Sequence, residues 1–233
     1  MKEQKPYFSI LMPTLNSSRY IECALGSILE QSFERYEVLI LDGGSVDGTQ
    51  EIVSSYGDSR FVLVSVAERG IYPALNRGLS EASGRVLCFL NSDDYYSSSE
   101  VLYQMYCVFL ETDAQIAFGN IMVNLKRGQS KFVRVWSGTW GSGILHCLGL
   151  TGPHPGMFID ANLAKQIGFD DRYLISGDFD FILRMGKFGA PVSHLDRLVV
   201  TMRGGGASAN WIKTLMEDYE ILKVNQFKFA FVI

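Results

Sequence analysis

The sequence is poor in the features that mark several large protein classes. It has only four cysteines in 233 residues, at positions 23, 88, 107 and 147, and no two of them form a CxxC pair. Most sit in apolar surroundings, so they read as reduced core thiols of a reducing compartment. No apolar run approaches the roughly 20 residues that span a bilayer. The apolar stretch of the N-terminal "MKEQKPYFSILMP" is too short for the core of a signal peptide. Basic residues are not gathered: 21 Lys and Arg stand against 25 Asp and Glu, a formal net charge of −4. A nucleic-acid partner, which needs a clustered basic face, is not expected. No GxGxxG follows a strand in the first α/β turns, and no Gly-rich loop with a basic residue follows the first strand. Both absences disfavour a dinucleotide-dependent oxidoreductase or a nucleotidyltransferase. The expectation is a cytoplasmic protein, soluble or peripheral.

Apolar residues make up 47% of the chain and charged residues 20%, enough for a sizeable core in one large α/β domain or two small ones. The first half alternates short apolar runs with helical periodicity. "YFSILMP", "YEVLILD", "RFVLVSV", "GRVLCFL" and "AQIAFG" read as strands. Between them, "SSRYIECALGSILEQSF" places Ile21, Ala24, Leu25, Ile28 and Leu29 on one helical face. "IYPALNRGLSEA" does the same with Ile71, Leu75, Leu79 and Ala82, and "SEVLYQMYCVFLE" is a further helix. Nearly all-apolar strands alternating with helices predict a mostly parallel sheet covered on both faces. From about residue 120 the character changes. "NIMVNLKRGQSKFVRVW" suggests two strands joined near Arg127 and Gly128, followed by a Gly-rich stretch, a helix around 160–167 and one or two strands in "APVSHLDRLVV". A last helix over 208–225 is expected to turn Trp211, Ile212, Leu215, Tyr219 and Leu222 inward. No linker separates the halves, so a single domain over 1–233 is expected, its second half forming the other wall of a cleft.

In parallel sheets, ligands bind at the carboxyl ends of the strands. Those ends carry Thr14 and Asn16, Asp42, Glu68, and Asn91 to Asp94. Asp42 is placed to accept hydrogen bonds from a base or ribose. Asp47 with Gln50 fits a capping box for the next helix. "LNSDD" ends a buried strand in adjacent carboxylates; Mg²⁺ and Mn²⁺ are held by one or two carboxylates plus substrate phosphates. Asp93 is read as the ligand, and Asp94 as a helix cap or a supporting residue. Asp178 and Asp180 sit at a helix start with i, i+2 spacing and share no face. One can enter the cleft as a general base while the other caps or pairs with Arg184. His154, locked between two prolines in the Gly-rich region, reads equally as a functional residue near the cleft or as a solvent-exposed loop histidine; His146 nearby reads the same way, less strongly, and His194, in an apolar run, reads as structural. Arg203, before three glycines, can meet a phosphate.

Taken in order along nearly the whole chain, "SILMPTLNSSRYI", "VLILDGGSVDGT", "GIYPALNRGLSEASGRVLCFLNSDD", "PHPGMFI", "IGFDDRYLISGDFDFILRM" and "GGGAS" resemble the family 2 glycosyltransferases with the GT-A fold. The subgroup they resemble most is that of bacterial surface polysaccharide assembly (capsule, O-unit and colanic-acid types). The resemblance implies a Rossmann-like, mostly parallel sheet flanked by helices. Residues 1–119 would form the nucleotide-sugar half, and 120–233 a smaller mixed-sheet acceptor half. It implies inverting, metal-dependent transfer of a hexosyl group from a nucleoside-diphosphate-sugar to a hydroxyl of a glycan or lipid-linked glycan, with Mn²⁺ or Mg²⁺ as cofactor. Pro13, Thr14 and Asn16 match the segment lining the nucleotide pocket, Asp42 the acidic residue on base or ribose, and Asn76 a position near the nucleotide. Asn91, Ser92 and Asp93 match the DxD motif, Asp93 being the metal ligand. Asp178 matches the catalytic base, and His154 a loop residue near the donor diphosphate or acceptor.

The chain departs from the family pattern at Gly43, where a second Asp is common, at Asn91 in place of the first Asp of DxD, and at Pro73. These departures keep open a non-catalytic sugar-nucleotide-binding or interaction protein of the same fold. The apolar tail "VNQFKFAFVI" fits core or dimer packing better than peripheral docking at the inner face of the membrane, since so short a tail buries little area.

Overall fold

The computed structural model describes residues 5–127, 130–136, 154–204 and 211–225. Among them, nine strands form one sheet. Its first part is built from β1 (Phe8–Thr14), β2 (Tyr36–Asp42), β3 (Phe61–Ser65) and β4 (Val86–Phe89). β1 is central: it pairs in parallel with β2 on one side and β4 on the other, and β3 extends the parallel run beyond β2. The backbone of a buried strand must be paired, and both flanks of β1 are.

Side chains alternate across this sheet, as strand geometry requires. Phe8, Ile10 and Met12 of β1 join Val38 and Ile40 of β2 in a core under α1 (Ile21–Leu29), with Ile21, Leu25 and Ile28. Leu11, Leu39 and Leu41 point to the opposite face, under α3 (Ile71–Glu81), with Tyr72, Leu75 and Leu79. Both faces are covered, as the all-apolar strands predict. β3 differs: it is the edge strand, and Val62 and Leu63 are exposed. Ile71 is exposed too and leaves the helical face assigned to it; Tyr72, one residue on, takes the buried place.

The sheet then turns mixed. β5 (Tyr95–Tyr96) and α4 (Val101–Glu111) precede β6 (Ile116–Arg127), a single strand where the sequence suggests two runs. β7 (Ser130–Trp136) returns antiparallel to β6. A 3₁₀ turn at His154–Gly156 leads into β8 (Met157–Asp160), which slots antiparallel between β4 and β6. α5 (Ala161–Ile167) is capped by Asp160, whose side chain accepts from the amides of Asn162 and Leu163. α6 (Gly177–Gly186) follows, and β9 (Val192–Arg203) runs parallel to β6.

α7 (Trp211–Val224) corrects an expectation. Leu222 is buried, together with Ile221, but Ile212, Leu215 and Tyr219 are exposed. The helix is held at particular points rather than along a stripe. Glu217 accepts from the amides of Leu174, Ile175 and Ser176, and Asn225 bonds Asp180 and Lys187. Cys23, Cys88 and Cys107 are free thiols, but only Cys88 is a core thiol, with burial pushing it up to about 12; Cys23 is exposed and Cys107 half-buried on the helices that carry them, which corrects the core reading for both. No helix of the described residues is long and apolar enough to cross a membrane. His146, Cys147, Ser208 and the tail after 225 lie outside the described residues, as does the Trp211 side chain.

Gly84 marks a close approach that fixes β4 against β1. Its amide donates to Ser9 Oγ at 2.8 Å, and an added Cβ would stand 2.7 Å from the Ser9 backbone nitrogen and 2.8 Å from the Phe8 carbonyl carbon. Backbone cannot yield as a flexible side chain does. Gly84→Ala is expected to lower stability by about 2 kcal/mol, within the range for overpacking. Thermal or urea denaturation checks this, and a parent-like midpoint would show the approach to be looser than described.

Candidate functional site

The carboxyl ends of β1, β2 and β4 lie on one edge of the sheet, and their loops are stitched together. After β1, Asn16 takes a left-handed backbone, φ 49°, the only non-glycine to do so among the described residues. Asn tolerates that region because its short amide bonds locally. Here the Asn16 Oδ1 accepts from the Val46 amide, and its own amide donates to Ser45 Oγ. The Ser17 amide donates to Thr49 Oγ1, and the Ser17 and Ser92 hydroxyls meet at 2.7 Å, joining the β1 and β4 loops.

Asp42 organises the turn after β2. It is 2% exposed, and its carboxylate accepts from the amides of Gly44 and Ser45, the Ser45 hydroxyl and the Gln50 amide. Burial works to raise its pKa, but the hydrogen bonds from Ser45, Gln50 and Gly44 prevail and hold the carboxyl below its ordinary value. This corrects the capping-box reading. Gln50 turns to Asp42, and the N-cap of α2 (Thr49–Ser55) is Gly48. Asp47 instead accepts from Ser18 and Thr49; the Thr49 hydroxyl foremost lowers its pKa.

A cavity of about 570 Å³ opens beside this turn. Pro13, Thr14 and Gly43 line one side, and Glu68, Arg69 and Gly70 with the first turn of α3 line the other. Pro13 and Thr14 are thus wall residues of this cavity. Asp42 holds the Gly43 turn rather than lining the cavity itself. Asn76 stands elsewhere: its side-chain amide both donates to the Phe169 carbonyl and accepts from the Phe169 amide, clamping α3 to the loop after α5.

The β4 end separates its two carboxylates. Asp93 is half-buried and makes no hydrogen bond or ion pair to the described residues. Asp94 is buried and accepts from the Asn91 side-chain amide at 2.9 Å and from the Arg203 backbone amide at 2.9 Å. Burial, with the Asp93 charge adding to it, pushes Asp94 up to about 7. Asp94 is thus no helix cap. α4 starts only at Val101, and Asp94 instead ties the β4 loop to the end of β9. Arg203 lays its guanidinium over the Tyr20 ring at 3.8 Å, a cation–π distance. His154 is buried with its ring 4.3 Å from that of Phe89, and its Nε2 has no hydrogen-bond partner among the described residues. Burial lowers it to about 3, so the imidazole is neutral. His194, exposed on β9, bonds Asn120.

At the start of α6 the two acids have different work. Asp180 pairs with Arg184 at 2.7 Å and accepts from Asn225. Asp178 accepts from the Phe179 amide and stands 3.3 Å from the Tyr72 hydroxyl. Burial is the main cause raising its pKa, with Glu217 adding to it. Local pattern does not mark Tyr72, Ser17, Ser45 or Glu217 as site residues; Tyr72 sits in "GIYPALNRG" beside the aliphatic residues that carry the helical periodicity.

No group of three or more His, Cys, Asp or Glu side chains able to hold a metal occurs among the described residues. The uncommitted Asp93 carboxylate nevertheless suits a hard divalent cation that takes its other oxygens from phosphates and water.

A solved structure of TarS 1–349 from S. aureus in complex with UDP-GlcNAc superposes with a TM-score of 0.78 at 22% identity, covering 95% of this chain and 65% of that one. Glucosyl-3-phosphoglycerate synthase from Mycobacterium tuberculosis, solved with Mn²⁺, UDP and phosphoglyceric acid, gives 0.70 at 18%, over 95% and 79%. The fold is GT-A. A relative, the Escherichia coli UDP-Glc:alpha-D-GlcNAc-diphosphoundecaprenol beta-1,3-glucosyltransferase WfgD, is 30% identical over 141 residues, 60% of this chain and 55% of its own length. The chain thus spans little more than half of that relative. The sequence model of glycosyl transferase family 2 matches residues 9–155, well over half of the chain, and the chain belongs to that family.

Proposed function

We propose that the protein is an inverting glycosyltransferase that moves a sugar from a nucleoside diphosphate to a hydroxyl of a glycan or lipid-linked glycan in surface polysaccharide synthesis. One observation carries the reading: two carboxylates with opposite environments. Asp93 is half-buried and uncommitted at the β4 end, whereas Asp178 lies where burial raises its pKa. Environments that differ in this way separate an electrostatic role from a proton-transfer role. TarS bound to UDP-GlcNAc and a relative named for a diphosphoundecaprenol-linked acceptor support the donor and acceptor classes. The Mn²⁺ in a neighbouring structure supports a divalent cation.

In this reading residues 1–119 hold the donor and 120–233 the acceptor side. Pro13, Thr14 and the turn fixed by Asn16 and Asp42 border the nucleotide. Ser92, Asn91 and Asp94 shape the loop that presents Asp93. Mn²⁺ or Mg²⁺ held by Asp93 would offset the negative charge that develops on the leaving diphosphate. Arg203 and His154 stand on the acceptor or diphosphate side. Asp178 takes the proton of the attacking hydroxyl, a role typically worth about 10²- to 10⁴-fold.

Asn91 spends its amide on Asp94, which leaves the motif one carboxylate short and favours the rival reading of a non-catalytic binding protein. Product release from a panel of UDP-, GDP- and dTDP-sugars with Mn²⁺ separates the two: transfer or hydrolysis identifies an enzyme, whereas binding without turnover supports the rival. Asp178→Asn is expected to lose at least 100-fold in turnover while keeping nucleotide affinity; normal turnover would remove Asp178 from the mechanism. Asp93→Ala should lose the Mn²⁺-dependent part of nucleoside-diphosphate binding in calorimetry, and unchanged metal-dependent affinity would count against Asp93 as ligand. Asp178 must be ionised to act. Activity should therefore fall as pH drops through a value above the ordinary carboxylate range, read as the acid limb of the kcat/KM profile.

A further inference from the structure

We infer that Tyr72 is the positioning residue for Asp178, a buried hydroxyl that serves the carboxyl in both of its protonation states. This rests on the reading of Asp178 as general base.

The Tyr72 hydroxyl lies 2.5 Å from the Ile175 carbonyl oxygen and 3.3 Å from Asp178 Oδ1. A phenol has one hydrogen and can also accept. Two acceptors therefore share one donor, and the short distance shows it aimed at Ile175. Its proton stays in place, because burial first and the Asp178 charge next push the phenol well above its usual value. When Asp178 is ionised, the O–H can rotate toward Oδ1. When Asp178 has taken a proton, its own O–H can donate to the Tyr72 oxygen while Tyr72 keeps its bond to Ile175. The step balances: the O–H bond of the acceptor hydroxyl breaks, the Asp178 O–H bond forms, and the phenolic proton turns without leaving its oxygen.

The ring is held for this purpose. It lies against Gly177, where an added Cβ would stand 2.7 Å from a ring carbon, and it stacks on Phe169 at 5.8 Å and 23°. One turn along α3, Asn76 clamps the backbone of that same Phe169. The α3 turn that carries Tyr72 also lines the cavity through Gly70, Ile71 and Ala74. The wall of the cavity and the support of the base are one piece of helix. Among the described residues, the ionisable groups facing Asp178 are Tyr72 from α3 and Glu217 and Asp218 from α7. The Tyr72 bond favours the ionised carboxylate, whereas Glu217 opposes it.

Tyr72→Phe keeps the ring and removes only the hydroxyl. Nucleoside-diphosphate release would be read with the sugar nucleotide that turns over in the UDP-, GDP- and dTDP-sugar panel, beside Asp178→Asn. The expected result is a fall in kcat of about tenfold, the scale of one hydrogen bond to a charged group. Donor KM and Mn²⁺-dependent nucleotide affinity should be unchanged, and the acid limb of the kcat profile should move to higher pH. Gly177→Ala, which displaces the ring, should reproduce the loss of kcat and the moved limb. An unchanged kcat and pH profile in Tyr72→Phe, with Asp178→Asn inactive, overturns this inference and leaves the general base standing. A fall in kcat with an unmoved acid limb, or with weakened nucleotide binding, also overturns it by showing a general loosening. Full activity in Asp178→Asn overturns the base assignment itself.

Discussion

Parallel pairing on both sides of β1 is the constraint from which the site follows. A strand with no exposed apolar side chain on either face needs neighbours for every backbone group and a helix layer above and below. β2 and β4 meet the first need and run in the same direction, so three polar strand ends leave the sheet at one edge. Their loops have little freedom there. The Asn16, Ser45 and Val46 bonds lock the first loop to the second, and the Ser17–Ser92 contact locks the first to the third. A cavity bordered by these tied loops is the outcome.

The acidic residues show how one kind of side chain takes separate roles. Asp42 is surrounded by donors and stays ionised as the centre of a turn. Asp94 is buried beside a second carboxylate and is pushed up to about 7, while two amides position it between β4 and β9. Asp180 is neutralised by Arg184. Asp93 is left uncommitted, and Asp178 is left with a phenol. Asp42, Asp94 and Asp180 are thus taken up by partners within the fold, whereas Asp93 has none among the described residues.

Aromatic packing connects these regions. Phe89, at the end of β4, meets His154 and Phe169, and Phe169 stacks on Phe181 at 4.3 Å, one turn beyond Asp178. The β4 loop and the start of α6 are therefore joined through rigid rings rather than through the loops themselves. α7 adds the last support, with Glu217 holding the three amides that precede α6.

The sequence by itself determined the parallel half. Its strands are apolar throughout, and strand ends are where polarity returns, so Thr14, Asp42 and Asn91 to Asp94 were legible from local pattern. The division of Asp178 from Asp180 was legible too, because residues two apart on a helix face different ways. Tertiary structure decided the partners. Nothing local shows that Gln50 reaches back to Asp42, that Asn76 clamps Phe169 across 93 residues, or that Asp94 meets the Arg203 amide. It also decided which face of α7 is buried, since that helix docks through Glu217, Ile221, Leu222 and Asn225 rather than along an apolar stripe. A hydrogen bond depends on distances of a few tenths of an ångström between segments far apart in sequence. Periodicity records only which residues leave water, and the identity of the group each one meets emerges when the chain closes.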